Sequence, residues 1–300
     1  MEKWVVTAKK ADFQEIGRKY GIDPVIARII RNRDIIEEKD IAEYLNGSLS
    51  DIPSWKLLKD IDQAADLISE KISTHARIRI IGDYDIDGVT ATFILLKGLK
   101  RLGADVDTYI PDRITDGYGI HEQLIQQAKN DGIELIVTCD NGISAAREVA
   151  LAKELGMDIV VTDHHEIPFE DTDGERKYIL PSADAIVNPK QPGCRYPNKN
   201  ICGAVVAMKV VYALYEKHGI PEKEKEAFLE PAAIATVGDI MDLQGENRIL
   251  VKEGLERLPY TSNKGLKALI SAIGLDGQKI SSYDIGFRLG PCINASGRLD

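Results

Sequence analysis

Ile78-Arg79-Ile80-Ile81-Gly82-Asp83-Tyr84-Asp85-Ile86-Asp87-Gly88 is the stretch whose reading decides the fold. Ile78 to Ile81 is a short β-branched run that reads as a strand. Gly82 to Gly88 then sets three carboxylates at alternate positions, and apolar residues recur at helical spacing from Val89 to Leu102. The alternation of strand and helix continues downstream. Strands are predicted at Val106 to Ile110, Leu135 to Cys139, Ile159 to Thr162 and Ala185 to Val187, and helices at His121 to Asn130 and Ser144 to Leu155.

Short apolar strands alternating with amphipathic helices imply βαβ crossovers. The predicted class is therefore α/β, a Rossmann-like parallel sheet covered by helices. Residues 1–75 read as a leading helical subdomain of short helices, with Asp23-Pro24 opening one and Asn46-Gly47 closing another. Residues 76–300 form the second unit, a parallel core to about residue 200 and a helical region after it. Helices are expected there at Gly203 to His218, Lys223 to Val237, Gly254 to Leu258 and Lys264 to Ile273. The last residues, Asn294-Ala295-Ser296-Gly297-Arg298-Leu299-Asp300, are polar and read as a cut chain.

A net charge of -10 excludes binding of nucleic acid through a globally basic surface, so local charge must decide. Lys9, Lys10, Arg18, Lys19, Arg28, Arg31 and Arg33 gather near the N-terminus, a run that a solvated helix face explains. Cys139, Cys194, Cys202 and Cys292 form no CxxC pair, which argues against a zinc knuckle or a disulfide framework. No run of eighteen apolar residues and no signal-like N-terminus is present, so a soluble, cytoplasmic protein without membrane contact is expected.

Three like charges crowded in Gly82 to Gly88 are costly unless cations or protons intervene. A metal site is the economical explanation and an acidic surface loop the plainer alternative; an EF-hand reading is weaker still, because Ile94 stands at the twelfth position. Two later strands end in the same way. Leu135 to Cys139 delivers Asp140-Asn141-Gly142, and Ile159 to Thr162 delivers Asp163-His164-His165. In an open α/β sheet, ligands bind beyond the carboxyl ends of the strands, and three such ends point acidic or imidazole groups to one edge.

The Asp163-His164-His165 triplet, with Asp85-Ile86-Asp87 and Asp140 upstream, resembles the signature of the DHH phosphoesterases. Gly82 to Gly88, Pro111-Asp112-Arg113, Gly117-Tyr118-Gly119, Val187-Asn188-Pro189, Cys202-Gly203-Ala204, Thr236-Val237-Gly238-Asp239 and Ile293 to Leu299 stand in the order shown by RecJ-type single-stranded-DNA exonucleases. One departure is Asp242, where RecJ-like sequences commonly carry proline. The resemblance implies two divalent cations, manganese with magnesium as the alternative. Asp85 and Asp140 would serve one, and Asp87, Asp140, His164 and Asp239 the other, with Asp140 bridging and Asp83 completing the shell. His165 would face the phosphate, and Asp163 would orient the histidine pair. Arg113, Arg298 and Asn294 would hold substrate phosphates, while Tyr118 stacks on a base or packs against the sheet.

The implied activity is 5′ to 3′ hydrolysis of single-stranded DNA to mononucleotides in repair and recombination. Single-strand-binding protein or a helicase would be partners by resemblance alone. RecJ proteins normally continue into a second, DHHA1-type lobe and an OB-type domain, and neither is expected here. Two other readings compete. One is a DHH hydrolase of small substrates, such as an oligoribonuclease, a small-nucleotide phosphodiesterase or a pyrophosphatase; against the last, Ile81 stands where pyrophosphatases of this superfamily usually carry histidine. The other is a non-catalytic binding module, which the full set of ligand types disfavours.

Overall fold

The computed structural model describes residues 9–112, 119–172 and 175–296. Short helices lead, α1 (Phe13–Tyr20), α2 (Pro24–Asn32), α3 (Glu38–Asn46) and α4 (Ile61–Ser73). The sheet region follows as β1 (Arg77–Ile81), α5 (Ile86–Arg101), β2 (Asp105–Tyr109), α6 (Glu122–Asn130), β3 (Leu135–Cys139), α7 (Ala146–Glu154), β4 (Asp158–Thr162), β5 (Phe169–Thr172), β6 (Glu175–Tyr178) and β7 (Ala185–Val187). The chain then runs through α8 (Gly203–Lys217), α9 (Leu229–Gly238), α10 (Gly245–Arg257), α11 (Lys264–Ala272), α12 (Ser282–Asp284), a π-helical turn (Ile285–Leu289) and α13 (Gly290–Ser296).

Five strands form one parallel sheet in the order β2-β1-β3-β4-β7. Alternating side chains divide its core in two. Ile78, Ile80, Val137 and Val160 pack with α4, α5 and α8, whereas Ile81, Ile136, Ile159 and Val161 pack with α6 and α7. Helix α8 is apolar nearly all round and lies inside the molecule, as such a helix must. Helix α4 precedes residue 75 yet belongs to the same cluster as β1. A third cluster joins Ile234, Leu258, Ile270, Ile285 and Leu289 to Ile86, the first residue of α5, so the C-terminal helices rest on the acidic turn.

The chain leaves β1 for β2 on one side and then crosses to β3 on the other. The crevice beyond the carboxyl ends of β1 and β3 is therefore a topological switch point, where α/β sheets bind ligands.

Two local expectations are corrected. Lys223 to Val237 is a 3-10 segment (Glu222–Phe228) followed by α9, which places Pro231 in the first helical turn, where its missing N–H costs nothing. The helix expected at Gly254 to Leu258 starts at Gly245. Helix α13 carries the start of the polar C-terminal run, as far as Ser296. Antiparallel β5 and β6, with no counterpart in the sequence reading, form a separate hairpin.

Candidate metal centre

The turn after β1 is built around the start of α5. Asp85 is the N-cap: its Oδ1 accepts from Asp87 N and Gly88 N, both at 2.9 Å. Asp83 and Asp87 are buried on either side of it. Asp87 is gripped from across the molecule by the N-terminus of α8, where Gly203 N and Ala204 N donate to its two oxygens at 2.6 and 2.8 Å. This approach requires glycine at 203, because a Cβ there would lie 2.8 Å from both Cβ and Oδ1 of Asp140.

Asp140 follows β3 in the left-handed region, φ 60°, a conformation aspartate tolerates better than most residues. After β4, Asp163 is saturated: Oδ1 accepts from His164 N, His165 N and His165 Nδ1, and Oδ2 from Ile143 N. Asn188 donates to the His165 carbonyl and accepts from Lys190 N, tying the triplet to the loop after β7. Asp239 caps the C-terminus of α9. Beyond it, the Asp242 carbonyl accepts from Gln244 N and Asn247 Nδ2, so the loop that departs from the expected proline is still pinned.

These elements converge on His164. Its Nε2 lies 3.0 Å from Asp140 Oδ1, 3.6 Å from Asp87 Oδ2 and 3.7 Å from Asp239 Oδ2. Candidate ligand atoms fall into overlapping groups, Asp83, Asp85 and Asp140 in one, Asp87, His164 and Asp239 in a second, and Asp140, His164 and His165 in a third, each within 4.8 Å. Yet Asp83 Oδ1, Asp140 Oδ1 and Asp239 Oδ2 are buried without a hydrogen bond of acceptable geometry. The 3.0 Å approach of His164 to Asp140 is thus a contact in distance only.

Electrostatics report the same imbalance. Burial, then the charge of Asp85, raises Asp83 to about 6; burial, then Asp87 and Asp85, raises Asp239 to about 7. Asp140 is held well above the usual carboxylate range by burial and by the same two neighbours, and Asp87 is raised chiefly by burial. Burial lowers His164. His165 is raised by its hydrogen bond to Asp163, and Asp163 falls because its donors outweigh the effect of burial. Acceptor-only carboxylates around one buried neutral imidazole make a donor set that suits divalent cations such as Mn2+.

Asn294 sits at the edge of this turn, where its Oδ1 accepts from Ile86 N at 2.8 Å. Arg113, Tyr118 and Arg298 lie outside the described residues. The backbone donors Gly203 and Ala204 went unassigned in the sequence reading; the Cys202-Gly203-Ala204 string was their one visible trace. Among the described residues, no helix is long and apolar enough to cross a membrane.

The DHH family, N-terminal domain, matches residues 77–236. The chain is 39% identical over 299 residues to a single-stranded-DNA-specific exonuclease RecJ of Bacillus subtilis, covering 99% of this chain and 36% of that protein. A crystal structure of exonuclease RecJ bound to manganese matches 84% of this chain and 60% of its own, with a TM-score of 0.71 and 37% identity. RecJ of Thermus thermophilus in complex with Mn2+ matches 96% of this chain and 39% of its own, with a TM-score of 0.76 and 33% identity. Its complex with Mg2+ covers 96% and 36%, with a TM-score of 0.66 and 31% identity. The chain therefore spans well under half the length of the Bacillus relative.

Proposed function

The chain belongs to the DHH family, and from that premise we propose that it is the catalytic core of a cytoplasmic RecJ-type exonuclease that hydrolyses single-stranded DNA from its 5′ end. The observation that carries this reading is the set of orphaned, buried carboxylate oxygens around His164 at the switch point of the sheet. Burying them without a partner is costly, and divalent cations supply the partner.

Asp83, Asp85 and Asp140 would hold one cation, and Asp87, Asp140, His164 and Asp239 the other, with Asp140 shared. Two such ions clamp a phosphodiester, lower the pKa of a bound water and stabilise charge on the attacking and leaving oxygens. The chain's own residues set the geometry. Gly203 and Ala204 aim Asp87 and oppose the effect of its burial, since two N–H donors favour the charged carboxylate. Asp163 fixes the His165 ring through Nδ1 and favours a proton there, which suits His165 to face a phosphate oxygen. Arg113 and Arg298 are the proposed guanidinium contacts to substrate phosphates, and Asn294, whose Oδ1 accepts from Ile86 N, braces the turn after β1.

The test is digestion of a 5′-end-labelled single strand with Mn2+, with Mg2+ and with chelator. Release of labelled mononucleotide that needs a divalent cation is expected. Cleavage confined to strands of a few nucleotides would instead point to an oligoribonuclease-like enzyme, and cleavage in chelator would contradict the metal assignment.

A further inference from the structure

Helix α9 ends in a Schellman motif: Met241 N donates to Thr236 O at 3.1 Å and Ile240 N to Val237 O at 3.2 Å. The position after the cap in this motif takes a left-handed backbone, and glycine is its usual occupant because it has no Cβ to clash. Here it is Ile240, at φ 58°. Asp34, Asp60, His75 and Asp140 are the other non-glycine residues of positive φ among the described residues, so Ile240 alone is β-branched. The residue is also 90% exposed, so neither local conformation nor core packing accounts for it.

Its surroundings do. Ile240 borders an open recess of about 300 Å³ that it shares with His164, His165, Lys190, Asn200 and Met241. One wall carries the histidines of the metal cluster. Lys190, whose backbone is held by Asn188 and whose Nζ lies 2.9 Å from Glu166, brings an ammonium to the same recess. A phosphodiester seated on the cluster carries a sugar and a base beside it, and the face of a base is apolar enough to pack on an aliphatic side chain.

We propose that Ile240 is a specificity residue: the recess seats the nucleoside attached to the scissile phosphate, and Ile240 is the apolar surface it packs against. The inference rests on the nuclease reading above for the identity of the ligand. The Mn2+-loaded protein should be titrated calorimetrically with thymidine 5′-monophosphate and, separately, with inorganic phosphate. Ile240→Gly is the informative variant because it relieves the left-handed strain and leaves Asp239 on the same cap. It should raise Tm by about 2 °C and weaken the nucleotide about tenfold, the scale of partly burying one aliphatic side chain. Phosphate should be weakened far less. Ile240→Leu, apolar without branching at Cβ, should restore nucleotide affinity.

Equal nucleotide affinity in wild type and Ile240→Gly would overturn the proposal, as would no nucleotide binding by wild type. Equal weakening of both ligands would also overturn it, since Ile240 would then act only through Asp239. If wild type binds the nucleotide in this Ile240-dependent way yet digests no strand, the nuclease reading falls and the nucleoside seat stands.

Discussion

Two of the places where this molecule buries charge do so in opposite ways. Between α8 and α10, Lys209 Nζ lies 2.5 Å from Glu246 Oε1, and Tyr196 Oη lies 2.8 and 2.7 Å from the two Glu246 oxygens. The ammonium also stands 4.8 Å from the Tyr196 ring centroid. Every group in that trio has a partner within it. The cluster around His164 has three buried carboxylates, Asp83, Asp87 and Asp140, the half-buried Asp239, a neutral imidazole and oxygens with no donor. The first arrangement is closed, and its consequence is structural. The second is open, and the missing positive charge must come from outside the chain.

The comparison breaks most visibly if the two regions respond alike to loss of a carboxylate. Asp140→Ala should cut strand digestion on the order of a thousandfold by removing the shared ligand. In chelator the same variant should be at least as stable as wild type, because an unmatched buried anion has gone. Parallel digestion assays and urea unfolding measure both, and near-normal kcat in a folded variant would break the two-cation assignment.

Glu246→Gln should do the reverse. It leaves Lys209 buried and unpaired, at a cost of roughly 3–5 kcal/mol, whereas replacing both partners with apolar residues should recover most of that loss. Urea unfolding of the single and double variants is the check. If Glu246→Gln is no less stable than wild type, the closed trio is not what holds α8 to α10.

A pH series sharpens the contrast. Asp239 is raised to about 7 and Asp83 to about 6, above their unfolded value of 3.8, so their contribution to the metal-free fold is fully present only below about pH 4 and is lost as pH rises toward 7. In chelator, Asp239→Asn should therefore stabilise more at pH 8 than at pH 5, by on the order of 2 kcal/mol. Saturating Mn2+ should abolish that difference, because cations compete with the protons. A pH-independent effect of the variant would mean that Asp239 is not held in the electrostatic grip described.

The smallest expected effect separates neighbours. His164→Ala should lower bound metal, while His165→Ala should keep it and slow turnover about tenfold. Metal content of the purified variants decides this, and equal loss in both would show that the roles are wrongly divided.

The sheet was legible because strands buried on both faces, such as Leu135 to Cys139, are nearly continuous apolar runs ending in acidic turns. The hairpin of β5 and β6 was not, since Phe169-Glu170-Asp171 and Arg176-Lys177-Tyr178 carry the charge pattern of a solvated loop. Around the site, carboxylates and histidines announced themselves by type. The backbone donors of Gly203 and Ala204 have no such mark, because every residue but proline carries an N–H and only the fold decides where it points. Asn294 capping Ile86 is a contact across more than two hundred residues of chain. Ile240 is hidden for a different reason: nothing in an isoleucine signals a left-handed backbone.

The most direct test of the open cluster is anomalous diffraction at the manganese edge from crystals grown with Mn2+. Two peaks about 3.5–4 Å apart are expected, one against Asp83, Asp85 and Asp140 and the other against Asp87, Asp140, His164 and Asp239. No peak within reach of Asp140 at saturating Mn2+ would contradict it.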